Sequence, residues 1–218
     1  MTTVHTDMAA YYAQSASIYE QIYAKPESQG DLAILHRRLG ELFTGKQVLE
    51  IACGTGYWTS DLAASATNVL ATDINEEVIA IARTKNLPAD KVAFAVADAF
   101  EMPTPDTPRN ACFAGFWWSH VARERQTAFL DQLQKLLAPQ ALLVLIDNVY
   151  VEGSSLPIAR TDAEGNTYQI RRLPNGSRHE VLKQFPSNST LRKRLGRHLN
   201  DVRIERLDHY WLLSGRIK

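Results

Sequence analysis

Two glycines one residue apart, Gly54 and Gly56, break the apolar run Val48-Leu-Glu-Ile-Ala-Cys53 and lead into a helix-compatible segment. Glycine reaches backbone angles closed to other residues and lacks a Cβ, so a ligand can lie against the main chain there. Acids end the next two strand-like runs: Asp73 closes Asn68-Val-Leu-Ala-Thr, and Asp98 closes Val92-Ala-Phe-Ala-Val-Ala. A carboxylate at the first place accepts hydrogen bonds from both hydroxyls of a ribose, and one at the second accepts from an adenine amino group. Each acid alone reads equally well as an Asx-type turn residue. Three strand ends carrying the same placement favour a nucleoside ligand. The dinucleotide fingerprint G-x-G-x-x-G requires a third glycine, but here that position is Thr59, preceded by bulky Tyr57 and Trp58. The ligand therefore carries adenosine without a pyrophosphate, and Glu50, Gly54 and Gly56 surround the place of an amino-acid tail.

From about Gln47 to Asn148 the sequence resembles the class I S-adenosylmethionine-dependent methyltransferase family, in particular its small bacterial members that act on small molecules, and the resemblance implies S-adenosyl-L-methionine as that ligand. The resemblance implies that residues 50–56 form motif I, with Glu50, Ala52, Gly54, Thr55 and Gly56 around the methionine moiety. It implies Asp73 and Ile74 at the ribose, and Asp98 and the Ala99 amide at the adenine. Tyr19, Trp58 and Trp117 complete the implied cofactor set, and S-adenosyl-L-homocysteine is the implied product.

Methyl transfer from a sulfonium is an in-line displacement, so the protein mainly aligns donor and acceptor in a dry pocket. A general base helps only when the acceptor still carries a proton at working pH. The fourth apolar run ends in Trp117-Trp118-Ser119-His120. His120 is the candidate catalytic group, as a base or as a group that orients the acceptor, because imidazole titrates near neutrality. The competing reading is a histidine bound to a loop carbonyl. Trp118 is a candidate stacking wall, although alternate strand positions face opposite sides and put one of the two tryptophans in the core. Tyr11 and Tyr12, with Tyr19, form a candidate lid, and Asn148 and His179 complete the expected acceptor side. The hairpin bearing Arg171, Arg172, Arg178 and His179 either closes the acceptor pocket or is a solvated basic surface. Asp147-Asn148 is similar to the magnesium-binding pair of catechol-type methyltransferases. The further Asp that they use is replaced here by Trp118-Ser119-His120, and hard magnesium prefers a full oxygen set, so no metal is expected.

The elements that must position these groups alternate. Strands near 47–52, 68–73 and 91–97 are separated by helices near 58–65 and 76–85, the second opened by Glu76 and Glu77. A proline-bearing loop over 101–110, a buried strand over 111–117, a helix over 126–137 and a strand over 141–146 follow. Near-continuous apolar strands between helices indicate a mostly parallel sheet covered on both faces. Before them, residues 8–23 read as a helix carrying tyrosines, and Asp31 caps a second helix with Leu32, Leu35, Leu39 and Leu42 on one face. After them come the hairpin around Asn175-Gly176, a short basic helix, and two final strands over 202–207 and 210–217. The resemblance implies the α/β order 3-2-1-4-5-7-6 with the last strand antiparallel. The expected organisation is one domain over 1–218: a helical lid over 1–45, a cofactor-binding core over 46–150 and a closing region over 151–218.

A chain of 218 residues with 45% apolar and 22% charged content suits one ordinary globular domain. It contains no run of eighteen apolar residues, and Met1-Thr-Thr-Val-His-Thr-Asp is no signal peptide, so a cytoplasmic location away from membranes is expected. Cys53 and Cys112 read as reduced thiols. The net charge is zero but unevenly spread: residues 1–150 hold 11 basic and 17 acidic groups, residues 151–218 hold 13 and 7. The basic end suits an anionic substrate or nucleic acid, or merely complements the acidic half. The specialised motifs of nucleic-acid methylation are absent, which favours a small acceptor over nucleic acid, methylated at nitrogen or oxygen, with azapteridine N-methyltransferases among the similar enzymes. The alternatives are an RNA or protein methyltransferase using the basic end, and a cofactor-binding protein without turnover. A monomer or a homodimer is compatible with the sequence.

Overall fold

The computed structural model describes residues 4–218; residues 1–3, part of the amino-terminal stretch read above as no signal peptide, lie outside the described residues. In chain order the elements are β1 (Val4–His5), α1 (Met8–Ser15), a 3-10 helix over Ala16–Ala24, α2 (Gln29–Phe43), β2 (Gln47–Ile51), α3 (Thr59–Ser65), β3 (Asn68–Asp73), α4 (Glu76–Arg83) and β4 (Val92–Val96). They continue with β5 (Arg109–Gly115), α5 (Gln126–Leu136), β6 (Leu137–Asn148), β7 (Arg160–Thr161), β8 (Thr167–Arg172), β9 (Arg178–Leu182), α6 (Asn188–Leu195), β10 (Leu199–Arg206) and β11 (Tyr210–Ile217).

Seven strands form one sheet in the order β10-β11-β6-β5-β2-β3-β4, which is the expected 3-2-1-4-5-7-6 order read from the other edge. β2, β3, β4, β5 and β6 run parallel, while β11 is antiparallel to both β6 and β10. Period-two alternation divides the apolar strand residues between two cores. Val48, Phe113, Val144 and Leu212 face one side, where they meet Leu35 and Leu39 of α2, Leu62 of α3 and Ile79 of α4. Leu49, Cys112, Leu145 and Leu213 face the other, against Phe129 and Leu133 of α5 and Leu191 of α6. Each such side chain contributes about 1.5–3 kcal/mol when fully withdrawn from water. Both faces are therefore dry, and this is why the strands read as continuous apolar runs rather than alternating ones.

Two expectations about elements are corrected, and a third, the hairpin, is borne out and extended. The helix read over 8–23 is α-helical only to Ser15 and tightens into the 3-10 helix beyond. Asp31 does not cap α2; it sits in the first turn, and its Oδ2 accepts the backbone N–H of His209 at 2.7 Å. The hairpin of residues 167–183 is the centre of a second, four-stranded sheet, β1-β9-β8-β7, in which β1 pairs parallel with β9. Sequence patterning could not show this, because β1 and β7 have two residues each. The consequence is functional: β1 fastens the start of the amino-terminal segment to the late hairpin, and α1 packs against β9 of that hairpin on one side and α4 on the other. No helix among the described residues is long and apolar enough to cross a membrane.

Candidate active site

β2 and β5 are neighbours whose chain connections leave in opposite directions, and open α/β sheets bind ligands outside the carboxyl ends of strands at such a switch point. A cavity opens there. Its floor comes from four strand-end loops, residues 52–55, 73–75, 97–100 and 115–117, and its roof from Met8, Ala9, Tyr12, Tyr19 and Tyr23. The backbone at its base is unusual. Ala52 (φ 53°) and Phe116 (φ 56°) end the two central strands in the left-handed region, which costs a non-glycine residue energy and concentrates at ligand sites. Gly54 (φ 55°) has nothing within 4 Å of where a Cβ would stand, so its main chain is bare toward the cavity. Gly56 (φ 76°) needs its missing side chain for a different reason: a Cβ would stand 3.0 Å from that of Ala82 on α4.

The acids are held by the loops that they terminate. Asp73 accepts the Gly54 N–H at 2.9 Å through Oδ2 and the Asn75 N–H at 3.0 Å through Oδ1, binding the glycine turn to the end of β3. Burial pushes its carboxyl above the ordinary aspartate range, against those amide bonds. Asp98 accepts the Phe100 N–H at 2.9 Å in the same manner. Both acids line the cavity, as do Tyr19, Ala52, Gly54, Thr55, Trp58, Ile74, Ala99 and Trp117. Two residues of the expected cofactor set do not. Glu50 is 1% exposed beneath the turn, where its Oε2 accepts the Thr59 hydroxyl at 2.7 Å and burial raises its pKa to about 8. It anchors the start of α3 to β2 and reaches no ligand space, and Gly56 acts through its packing against Ala82. Sequence reading missed Met8, Ala9, Val78 and Phe116, whose apolar side chains gave no chemical signal.

A second cavity of about 630 Å³ adjoins the first, between α1, the second sheet and the end of β6. The two share Tyr12, Tyr19, Phe116 and His120. His120 is buried, and its protonation is set by its contacts. Its Nδ1 lies against the Leu182 carbonyl, which takes the Nδ1–H, leaving Nε2 to accept the Tyr12 hydroxyl at 2.9 Å. Burial, with the charges of Lys183 and Arg171, holds its pKa well below the ordinary histidine value, so the ring is neutral. The Tyr12 oxygen in turn accepts from Arg171 Nη1 at 3.1 Å. Arg171, Tyr12 and His120 thus form one hydrogen-bonded chain along the shared wall.

The remaining expected acceptor residues divide. Tyr11 and Asn148 line the second cavity. Trp118 does not: it is 2% exposed in the core against Phe129, one residue past the turn that sends Trp117 to the cofactor side. His179 does not either; it packs behind Tyr11, with ring centroids 5.3 Å apart, and against His5 of β1. Asp147 is fully buried, taken up by the Ser119 N–H and hydroxyl, each at 2.9 Å, and by Lys183 Nζ at 2.7 Å, so protein donors occupy the position of a metal-binding acid.

The sheet order and the glycine turn after its first parallel strand are those of the class I methyltransferase fold. Residues 48–140 match the family described as a methyltransferase domain. The structure of DhpI in complex with SAH is similar over 96% of this chain and 94% of its own, at a TM-score of 0.79 and 28% identity. A complex of DhpI with SAM and HEP matches at a TM-score of 0.78, over 95% and 94% of the two chains and again at 28% identity. Demethylmenaquinone methyltransferase of Clavibacter sepedonicus is 32% identical over 47% of this chain and 41% of its own length. O-methyltransferase cnsE of Penicillium expansum is 31% identical over 48% and 39%. The chain therefore spans about two fifths of the length of these curated relatives.

Proposed function

We propose that the chain transfers a methyl group from S-adenosylmethionine to an oxygen or nitrogen of a small, planar metabolite held in the second cavity. The observation that carries this reading is the shared wall: two cavities adjoin at the carboxyl ends of the central strands, and Tyr12, Tyr19, Phe116 and His120 border both. A volume of about 630 Å³ falls among small-molecule sites rather than flat macromolecular surfaces. The DhpI structure that holds SAM together with HEP, and the O-methyltransferase among the relatives, support it.

When bound, the cofactor supplies an electrophilic methyl group. This chain's residues supply position and dryness. Asp73 and Asp98 face the ribose and the adenine. Aromatic faces of Tyr12, Tyr19 and Trp117 suit a sulfonium cation. His120 is neutral, and with its Nε2 engaged by Tyr12 it orients that hydroxyl at the wall rather than meeting the acceptor itself. The first test is calorimetry. Asp73→Ala should weaken S-adenosylmethionine binding about ten-fold, because two ribose hydroxyls lose a charged acceptor worth about 1.5–3 kcal/mol. Unchanged affinity would place the ribose elsewhere and remove this reading.

A further inference from the structure

The second cavity is electrically one-sided. Lys25, Arg171, Arg172 and Lys183 line it, with no carboxylate among its described lining residues. These cations are not equivalent. Lys183 is neutralised beneath the wall by Asp147 at 2.7 Å, and Lys25 lies at the exposed rim on the Ser154 carbonyl and hydroxyl. Arg172 is exposed. Arg171 is different: it is half-buried, on the odd-numbered face of β8 and β9 where Gln169, His179, Val181 and Lys183 are all buried. No carboxylate pairs with it among the described residues: its hydrogen bonds go to the Tyr12 hydroxyl and, at 3.5 Å, the Gln169 amide oxygen, and its guanidinium lies 5.7 Å from the centre of the Tyr11 ring. Its Nε is buried with no hydrogen-bond partner among the described residues. Guanidinium cannot shed its charge, so withdrawing it from water without an anion is costly, and a planar two-oxygen partner would remove the cost.

We infer that the acceptor is a small acid whose carboxylate or phosphoryl group seats on Arg171 at the wall shared with the cofactor. This rests on the methyl-transfer reading of the two cavities. The seat also fixes the chemistry. Arg171 is one hydrogen bond from Tyr12, which borders the cofactor cavity, so an oxygen of the acidic group is the atom nearest the methyl donor. A C–O bond forms as the sulfonium C–S bond breaks, and the electron pair of that bond stays on sulfur. The product is an ester, the charges of anion and sulfonium cancel, and no proton has to leave. A neutral, occupied His120 is compatible with such a step, whereas a protonated acceptor would need a free base.

The test is calorimetry on protein loaded with S-adenosylhomocysteine, titrated with benzoate, phenyl phosphate and the neutral isostere benzamide. Binding of S-adenosylhomocysteine itself reports on the underlying methyltransferase reading, since its failure removes the cavity assignment whatever the acids do. With the cofactor product bound, at least one acid should bind about ten-fold or more tighter than benzamide, and which acid does so separates carboxylate from phosphoryl recognition. Arg171→Gln should abolish that preference and leave S-adenosylhomocysteine affinity within about two-fold, while Arg171→Lys should keep part of it. The inference is overturned if benzamide binds as well as the acids, if no acid binds the loaded wild-type protein, or if Arg171→Gln binds the acids as wild type does. The wild-type comparison decides the matter even if the variants fold poorly.

Discussion

At the residue scale, the shared wall turns on what a buried imidazole can do when both its nitrogens are already spoken for. His120 gives Nδ1–H to Leu182 and receives Tyr12, so its effect on turnover passes through the tyrosine hydroxyl. His120→Ala should lower turnover about ten-fold, the worth of one buried hydrogen bond, with S-adenosylmethionine affinity nearly intact. His120→Gln, whose amide can also give one bond and accept another, should restore most of it. Because the ring is neutral well below its ordinary pKa, wild-type turnover should show no histidine limb between about pH 6 and 8; a limb that His120→Gln abolishes would identify a base instead. Residue types in the sequence were informative at Asp73, Asp98 and Gly54, where chemistry and strand ends coincide. They were uninformative at Arg171, since a basic hairpin has the same composition whether its arginines face solvent or a cavity. Trp118 illustrates the converse: a large aromatic beside a functional residue was a reasonable stacking wall, and the left-handed turn at Phe116 sends it into the core.

At the element scale, the amino-terminal segment is a roof with specific fastenings. Glu20, on the 3-10 helix, accepts the Thr55 hydroxyl and Lys85 Nζ, both at 2.6 Å, and so joins the roof to the glycine turn and to the chain just after α4. Asn75 adds a bond from its side-chain amide to the Ala9 carbonyl at 3.2 Å. Tyr23 stacks on Tyr57 with centroids 3.8 Å apart, an aromatic contact that adds to that docking. Part-exposed ion pairs of the Glu20 kind contribute about 0–1 kcal/mol, so Glu20→Ala should barely change the melting temperature. Local opening should respond more. Hydrogen exchange over residues 8–24 should accelerate in Glu20→Ala, cofactor affinity should fall several-fold, and saturating cofactor should restore protection. Exchange unchanged from wild type would mean that the tyrosine contacts alone hold the roof. The tightening from α1 into a 3-10 helix was not legible, because the hydrophobic spacing of residues 8–23 suits either geometry.

At the scale of the whole molecule, Glu50 couples stability to pH. Its folded pKa, about 8, stands above the ordinary value of 4.5 because burial disfavours the charge, so the folded protein holds a proton that the unfolded chain releases. Stability from this group is full below pH 4.5 and is lost as pH rises toward 8. His120 has the opposite bias, since its folded pKa is depressed, and its contribution is complete above the ordinary value of 6.5. Between pH 6.5 and 8 the Glu50 effect is therefore separable. Wild-type melting temperature should fall across that interval more than that of Glu50→Gln, and parallel curves would show that Glu50 is ionised in the folded state. The sequence by itself determined the parallel sheet and the glycine turn at its edge, because near-continuous apolar runs, glycine angles and strand-end acids are local constraints readable one segment at a time, while the strand order came with the family resemblance. Only the tertiary structure decided what faces the acceptor. The second cavity is built by the first helix, the end of β6 and a sheet completed by two-residue strands, segments far apart in the chain whose orientation depends on packing against one another. Charge lining a cavity is a property of that packing, and composition does not carry it.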